Sequence, residues 1–515
     1  MLARWLPFAI APAAGLAQAF SVATPWDGQP LWWLQLLSLA VLAWQVQNAG
    51  SWRRAALLGW AFAIAWLTGI FWWLFISMHS YGGLAAPLAA AAVLGLAAFL
   101  AAYYALVCGL FRALAPGDTA WGAIVFGALW LLAELLRVTV FTGFPWGAGG
   151  YAHVDGPLAG LAPWLGVHGI AFVAAVLACA LALLAEGAWR KAWQPAVPAA
   201  VLAVLLAAAQ WLPSDTDRPH SGGKLSVALL QGNIPQGEKF ELGSGVPLAL
   251  TWYAQELARA TATLVVAPET AIPLLPNQLP EGYLSAVGRR FGAGAQAALL
   301  GIPLGSMAEG YTNSVIGLKP GADTYHYDKH HLVPFGEFIP PLFRWFTEMM
   351  NIPLGDFERG AVGQSSFEWQ GQRLAPNICY EDLFGEELGA RFADPSSAPT
   401  IFVNVSNIGW FGDSIAIDQH LQISRMRALE FDRPMLRATN TGATVVIDHR
   451  GRVTHALPRH TRGVLLGEVE GRTGITPYAW WVSRLGLWPL WLLALGAPAL
   501  AYFMRTRRPG RAVVT

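Results

Sequence analysis

Charge is scarce in this chain, and cysteine is scarcer. Lysine, arginine, aspartate and glutamate make up 13 % of 515 residues, against 55 % apolar. Soluble domains carry about 25 % charged residues, so the shortage excludes a chain that faces water throughout. The charges that exist nearly cancel, 33 basic against 32 acidic, and without a basic excess there is no electrostatic footprint for nucleic acid. Three cysteines, two of them (Cys108 and Cys179) inside apolar runs, cannot support a disulfide framework. Internal repeats and low-complexity tracts are also missing. Tryptophan, in contrast, is abundant at 25 residues, which suits a protein with many membrane interfaces, where indole rings settle at headgroup depth.

The charge deficit is local. Residues 1–212 are nearly charge-free, 213–484 read as an ordinary globular domain, and 485–515 form one more apolar run with a basic tail. Crossing a bilayer takes about 20 apolar residues. Candidate spans lie near 6–24, 30–48, 55–77, 85–111, 119–137, 163–185, 195–212 and 485–504, the second interrupted by Gln35, Gln45 and Gln47. The first has signal-peptide features, but the spans that follow favour its retention. An even number puts both termini on one side. Arg4, Arg53, Arg54, Arg112, Arg190, Lys191 and the tail Arg505, Arg507, Arg508 and Arg511 all fall on that side, and the opposite short loops carry no Lys or Arg. By the positive-inside rule both termini are expected in the cytoplasm and 213–484 in the periplasm of a bacterial cell.

Beyond a polar exit linker at 214–223, strand-like and helix-like runs alternate. Strands are expected at 225–230, 263–267, 297–302, 313–318, 324–327, 373–378, 400–405, 436–439, 444–447 and 464–469, with helices at 248–262, 283–291, 383–392 and 420–431. That alternation predicts a layered α/β fold. Residues 332–361 form a long, aromatic-rich loop whose Phe335, Phe338, Ile339, Leu342, Phe343, Trp345 and Phe346 suit contact with lipid or an acyl-chain entry.

Cys379 is the only cysteine outside a hydrophobic segment, and it ends a strand-like run. Glu269 and Lys329 end two others. A thiol, a carboxylate and an amine are the parts of an acyl-transfer site. The sulfur is the nucleophile, Glu269 takes and returns its proton, and Lys329 with the backbone N–H after Cys379 holds the oxyanion. Singly, each has a commoner reading: a solvated turn carboxylate, a surface lysine, a small buried hydrophobe.

The blocks around these residues raise the odds. Val265-Val266-Ala267-Pro268-Glu269, Tyr327-Asp328-Lys329 through Gly336-Glu337, and Asn377-Ile378-Cys379-Tyr380-Glu381 together resemble the nitrilase (carbon–nitrogen hydrolase) superfamily. More narrowly, the chain resembles the apolipoprotein N-acyltransferase family. Leu230-Gln231-Gly232-Asn233-Ile234-Pro235-Gln236, Asn404-Val405-Ser406-Asn407 with Trp410-Phe411-Gly412, Arg433-Pro434 through Gly442, and the membrane block Gly143-Phe144-Pro145-Trp146 carry the narrower match. The resemblance implies a multi-span α-helical membrane domain plus a nitrilase-like α-β-β-α sandwich. It implies a ping-pong reaction in which Cys379 takes the sn-1 acyl chain of a phospholipid, phosphatidylethanolamine being the expected donor. The chain then passes to the α-amino group of a diacylglyceryl-cysteine at an apolipoprotein N-terminus, with no cofactor. Glu337 would keep Lys329 charged and oriented. Tyr380 and Glu381 would shape the oxyanion site or hold backbone, a structural role for Tyr380 being an open alternative. Asn233 and Asn407 read as turn formers.

Phe240 stands where the family usually has Trp, keeping a ring at this substrate-side position but losing its N–H donor. Ile408-Gly409 replaces a usual Asp, and Ala416-Ile417-Asp418 a usual Gly-Pro-aromatic stretch. Arg137, with Glu134 near a membrane boundary, is open to two readings: a headgroup-phosphate contact or snorkelling. Phe71-Trp72-Trp73 reads as span packing. His326, His330 and His331 match no zinc spacing, so no metal site is expected. A membrane-tethered amidase using water, and a non-catalytic lipoprotein-binding scaffold, are the competing functions.

Overall fold

The computed structural model describes residues 2–116, 120–189, 219–339 and 356–507. The span expected at 195–212, residues 340–355 of the aromatic loop, and the tail beyond 507 lie outside them. The described residues divide into two compact units. One runs to Trp72, resumes at Ala90 and returns from Leu485 onward; the other takes Trp73–Ala89 and the chain from β1 to Arg484.

The first unit is helical: α1 (Leu2–Val22), α2 (Trp32–Gln47), α3 (Trp52–Phe71), α4 (Ala86–Leu114), α5 (Ala120–Thr139) and α6 (Ala162–Trp189). Ser51 starts α3 by accepting the Arg54 N–H at 3.2 Å, which satisfies one of the first-turn donors. Among the described residues four helices are long and apolar enough to cross a membrane: α3, α4, α5 with its 3₁₀ extension, and α6 with the turn before it. The apolar stretch of α1 (Leu6–Val22) and the 16-residue α2 are shorter.

Two expectations are corrected here. The span placed at 55–77 ends as a helix at Phe71, and the chain leaves the first unit after Trp72. Trp73 is therefore not span packing. Its indole N–H donates to Gln419 Oε1 at 3.0 Å and its ring lies 4.2 Å from that of Phe411, both within the second unit. Arg137 neither reaches out to a headgroup nor snorkels, because it is 1 % exposed. Gly143 takes φ +84, at a position where a side chain would strike the Val138 carbonyl. The turn it begins returns the Trp146 carbonyl to Arg137 Nη1 at 2.8 Å. The guanidinium also lies over the Trp66 ring at 5.2 Å, a cation–π contact that suits a desolvated cation. Glu134 is buried as well, accepting from Gly149 N and meeting His168 Nδ1 at 3.3 Å.

The second unit holds two six-stranded sheets. One has the order β12-β1-β2-β3-β4-β5: β1 (Pro219–Gln231), β2 (Leu264–Val266), β3 (Ala297–Ser306), β4 (Gly310–Leu318), β5 (Tyr325–Asp328) and β12 (Gly463–Arg472). The other has the order β11-β10-β9-β8-β7-β6: β6 (Phe367–Trp369), β7 (Gln372–Ile378), β8 (Ile401–Ser406), β9 (Met435–Thr439), β10 (Val445–Ile447) and β11 (Val453–Ala456). Each has three parallel strands, β1-β2-β3 or β7-β8-β9, flanked by antiparallel ones. β1 begins at Pro219 across a register irregularity, inside the expected linker.

The two-residue period of a strand builds the layers. Leu225, Val227 and Leu229 of β1 join Leu264 and Val266 of β2 and meet Ile401, Val403 and Val405 of β8 between the sheets. The alternate residues Ala228, Leu230 and Val265 face Val246, Leu250, Tyr253 and Leu257 of α7 (Gly245–Arg259) and Val287 and Phe291 of α8 (Tyr283–Gly292). On the other side Phe402 of β8 packs on Phe431 of α9 (Ala416–Phe431), ring centres 5.5 Å apart. The result is the α-β-β-α sandwich. Each aliphatic side chain buried this way contributes about 1.5–3 kcal/mol, which makes the apolar alternation, not local propensity, the determinant of the layering. α10 (Pro477–Leu485) closes the second unit. α11 (Trp488–Thr506) follows in the first unit.

Candidate active site

Parallel strands expose their following residues at one sheet end, and the chemistry collects there. Glu269 lies three residues past β2, Lys329 directly follows β5, and Cys379 directly follows β7. β2 and β5 belong to one sheet and β7 to the other, so the site is assembled across the sandwich. At Gly301 of β3 a methyl group would lie 2.2 Å from the Pro268 carbonyl oxygen and 2.8 Å from Glu269 Cα. Only a residue without Cβ lets the Glu269 turn settle on β3.

Lys329 is fully buried between two carboxylates. Its Nζ lies 2.8 Å from Glu337 Oε1 and 3.4 Å from Glu269 Oε1. Asn313 Nδ2 donates to both carboxylates, at 2.8 Å to Glu269 and 2.7 Å to Glu337. The second oxygens are held by backbone: Asn407 N–H donates to Glu269 Oε2 and Val333 N–H to Glu337 Oε2, each at 2.8 Å. Burial alone would lower the lysine pKa, but Glu337 and Glu269 outweigh it and hold the ammonium well above the usual lysine range. The Cys379 thiol moves the other way. Burial and the neighbouring Glu269 charge push it up to about 12, with Lys329 pulling against them. The site therefore favours a neutral thiol and a fixed ammonium, and ionising such a sulfur takes a nearby base or cation.

Cys379 has φ +52, a left-handed backbone that costs about 1–2 kcal/mol for a residue with a Cβ. Its carbonyl is held by Asn404 Nδ2 at 3.3 Å and His420 Nε2 at 3.2 Å. Arg437 Nη2 donates to His420 Nδ1 at 2.7 Å; a guanidinium only donates, so Nδ1 accepts and the proton sits on Nε2. That proton also faces Asp382 Oδ1 at 2.8 Å. Burial and Arg437 keep His420 below its ordinary pKa, against the pull of Asp382. Burial would raise Asp382, but His420, Arg437 and Ser424 together hold it below the usual carboxylate range.

Glu381 is a backbone clamp. It accepts from Ile378 N at 2.6 Å, His330 N at 2.6 Å, His331 N at 3.2 Å and the Tyr327 hydroxyl at 2.8 Å. The strand end before Cys379 is thereby tied to the chain on both sides of Lys329. Burial raises its pKa, and these bonds offset part of that rise. Tyr380 is buried, its ring 5.3 Å from Phe384 and 5.6 Å from His331. His331 meets Glu387 at 2.9 Å and His330 Nδ1 meets the Gly360 carbonyl at 2.7 Å. Phe240 is half-buried beside Lys239. Asp418, at one of the departures from the family pattern, pairs with Arg459. Asn233 takes φ +45, while Asn407 does more than turn the chain, since its N–H holds Glu269.

Sequence reasoning missed Asn313, Gly301, the Asp382–His420–Arg437 network and Lys239. Lys239 Nζ donates to the Glu269 carbonyl at 3.0 Å. None of these follows a strand end in a recognisable block, and their roles arise only from strand register and loop path.

Comparison with known proteins agrees with the architecture. The Apolipoprotein N-acyltransferase N-terminal domain family matches residues 14–180, and the Carbon-nitrogen hydrolase family matches 226–478. The apolipoprotein N-acyltransferase of Verminephrobacter eiseniae is 63 % identical over 94 % of this chain and 94 % of its own length. That of Ralstonia nicotianae is 48 % identical over 93 % and 91 %, and that of Chromobacterium violaceum 39 % over 97 % and 94 %. The fold and these matches define an enzyme with a nitrilase-like domain carried on apolar, membrane-type helices. The chain belongs to the apolipoprotein N-acyltransferase family.

Proposed function

We propose that this enzyme moves the sn-1 acyl chain of a phospholipid, with phosphatidylethanolamine the expected donor, to the α-amino group of the diacylglyceryl-cysteine of an apolipoprotein. The observation that carries this reading is Lys329 buried between Glu269 and Glu337, with Cys379 past a strand end of the facing sheet, in a chain whose described residues include four membrane-length apolar helices. A soluble amide would need no such helices.

In the first half-reaction Sγ attacks the ester carbonyl as Glu269 takes the thiol proton. Lys329 and the N–H of Tyr380 face the oxyanion; such donors are commonly worth about 10²–10³ in rate. The C–O bond breaks, the glycerol oxygen receives the proton from Glu269, and a lysophospholipid leaves a thioester on Cys379. In the second, the neutral α-amine attacks the thioester, Glu269 accepts the nitrogen's proton, the C–S bond breaks and the proton returns to sulfur. Glu337 keeps Lys329 charged and placed, and Glu381 holds the strand ends together. Tyr380, next to the nucleophile in the chain, packs its ring against His331 and Phe384, and Phe240 offers an apolar ring to the substrates. Both substrates are lipid-anchored, so a site held at the bilayer meets them by lateral diffusion. The basic-residue pattern supports a bacterial inner-membrane protein with 213–484 in the periplasm, between membrane parts at 1–212 and 485–515 whose termini are cytoplasmic.

The test is mass spectrometry of the purified protein with phosphatidylethanolamine. An acyl adduct on Cys379 is expected, discharged by a diacylated lipopeptide. Cys379→Ala is expected to keep its melting temperature and form no adduct. Free fatty acid without N-acylated peptide would establish the amidase-like reading instead.

A further inference from the structure

Lys239 is the second lysine buried at this site, and the roles above do not use it. Its side chain is 1 % exposed. Unlike Lys329 it has no carboxylate partner: among the described residues its one hydrogen bond goes to the main-chain carbonyl of Glu269, at 3.0 Å. Removing an ammonium from water without an ion pair costs several kcal/mol. A methionine of similar length would fill the space without that penalty. The charged and titratable groups that face Lys239 are Glu269, beyond the end of β2, and Cys379, at the end of β7. On its own loop Glu238 and Glu241 are exposed, and the Phe240 ring lies 6.0 Å from its Nζ. A cation placed at a structural cost against the base and beside the nucleophile is arranged for the reaction rather than for the fold.

We propose that Lys239 is a further positioning residue of the acylation step: its Nζ anchors the main chain that carries Glu269, and its charge favours the ionised sulfur of Cys379. This rests on the assignment of Cys379 and Glu269 as nucleophile and base. Burial lowers the Lys239 pKa to about 7, Glu269 and Cys379 resisting. Lys239 is charged below about pH 7 and supports the thiolate there, and the support fades above it.

The test uses the full-length protein in detergent, with Lys239→Met and Lys239→Arg. Alkylation of Cys379 by iodoacetamide is followed by peptide mass spectrometry between pH 6 and 9, alongside adduct formation from phosphatidylethanolamine. Lys239→Met is expected to alkylate about tenfold more slowly near pH 6.5, the equivalent of one pKa unit, and to converge on the wild type near pH 9. Adduct formation falls by at least the same factor, while the melting temperature is unchanged or higher because a desolvated charge is gone. Lys239→Arg, charged throughout, is expected to keep the fast low-pH alkylation and extend it upward. A Lys239→Met profile that parallels the wild type at every pH overturns the inference. So does a variant that loses activity only in step with its melting temperature, as a packing residue would. Absence of any adduct in the wild type would instead sink the assignment of Cys379 itself.

Discussion

At the scale of single residues, the site is a set of buried polar groups whose partners are nearly all fixed by main chain. Glu381 shows the logic. Its two oxygens accept from three N–H groups and one hydroxyl, and removing such an acceptor leaves buried donors unsatisfied at about 1–3 kcal/mol each. Glu381→Gln keeps the size but turns a donor toward those N–H groups. The expected result is a lowered melting temperature by circular dichroism and at least about a hundredfold loss of lipopeptide acylation, comparable to losing an oxyanion donor. Wild-type values for both would refute the clamp. The residues read in advance were those with a positional signal: Glu269, Lys329 and Cys379 each stand past the end of an apolar strand, and Glu337 stands in a recognisable block. Asn313 and Lys239 carry none. One sits mid-strand and the other in a loop, and only the folded chain turns them toward Glu269.

At the scale of elements, strand ends do the positioning and a glycine permits it. β3 runs under the turn that carries Glu269, and Gly301 is the point of closest approach, with three backbone atoms within 2.8 Å of where a methyl would sit. Backbone cannot rotate aside as a side chain can, so overpacking here, worth about 1–3 kcal/mol, must displace the turn. Gly301→Ala is therefore expected to leave the sandwich folded by circular dichroism but to cut acyl-adduct formation at least about tenfold. An undiminished adduct would show that the turn has room to spare. The alternation of strands and helices was readable because inter-sheet and helix-facing residues follow a two-residue period. The early end of α3 was not. Phe71, Trp72 and Trp73 are equally apolar, yet Trp73 is bonded to Gln419 and packed at a tilt against Phe411, partners more than three hundred residues away in sequence.

At the scale of the whole molecule, two kinds of surface occur in one chain. The helical unit turns Leu, Trp and Phe outward, for example Trp52, Leu57, Leu106 and Leu181, which in water would be an aggregation hazard and in lipid is the favourable arrangement. The arginines near the expected inner face, Arg53, Arg54 and Arg112, lie at the ends of α3 and α4, as an orientation set by cytoplasmic charge requires. A green fluorescent protein fused to the C-terminus is accordingly expected to fluoresce in cells. Alkaline phosphatase, which needs oxidising conditions for its disulfides, is expected to be inactive in the same place. The reverse pair of results would overturn the orientation, and with it the periplasmic placement of the catalytic domain.

By itself the sequence determined the division into apolar and globular parts and the layered α/β class, and it singled out the three groups proposed as reactive. Each of these depends on composition, periodicity or a local block, which are properties of neighbours along the chain. Only the tertiary structure decided that Glu269 is gripped by Asn313, Asn407 and Lys239, that Cys379 has a carbonyl locked by Asn404 and His420, and that Arg137 is buried against Trp66 rather than exposed to lipid. Those arrangements come from strand register across two sheets and from side chains meeting over long separations, where desolvation and hydrogen-bond geometry select the partner and the order of residues in the chain does not.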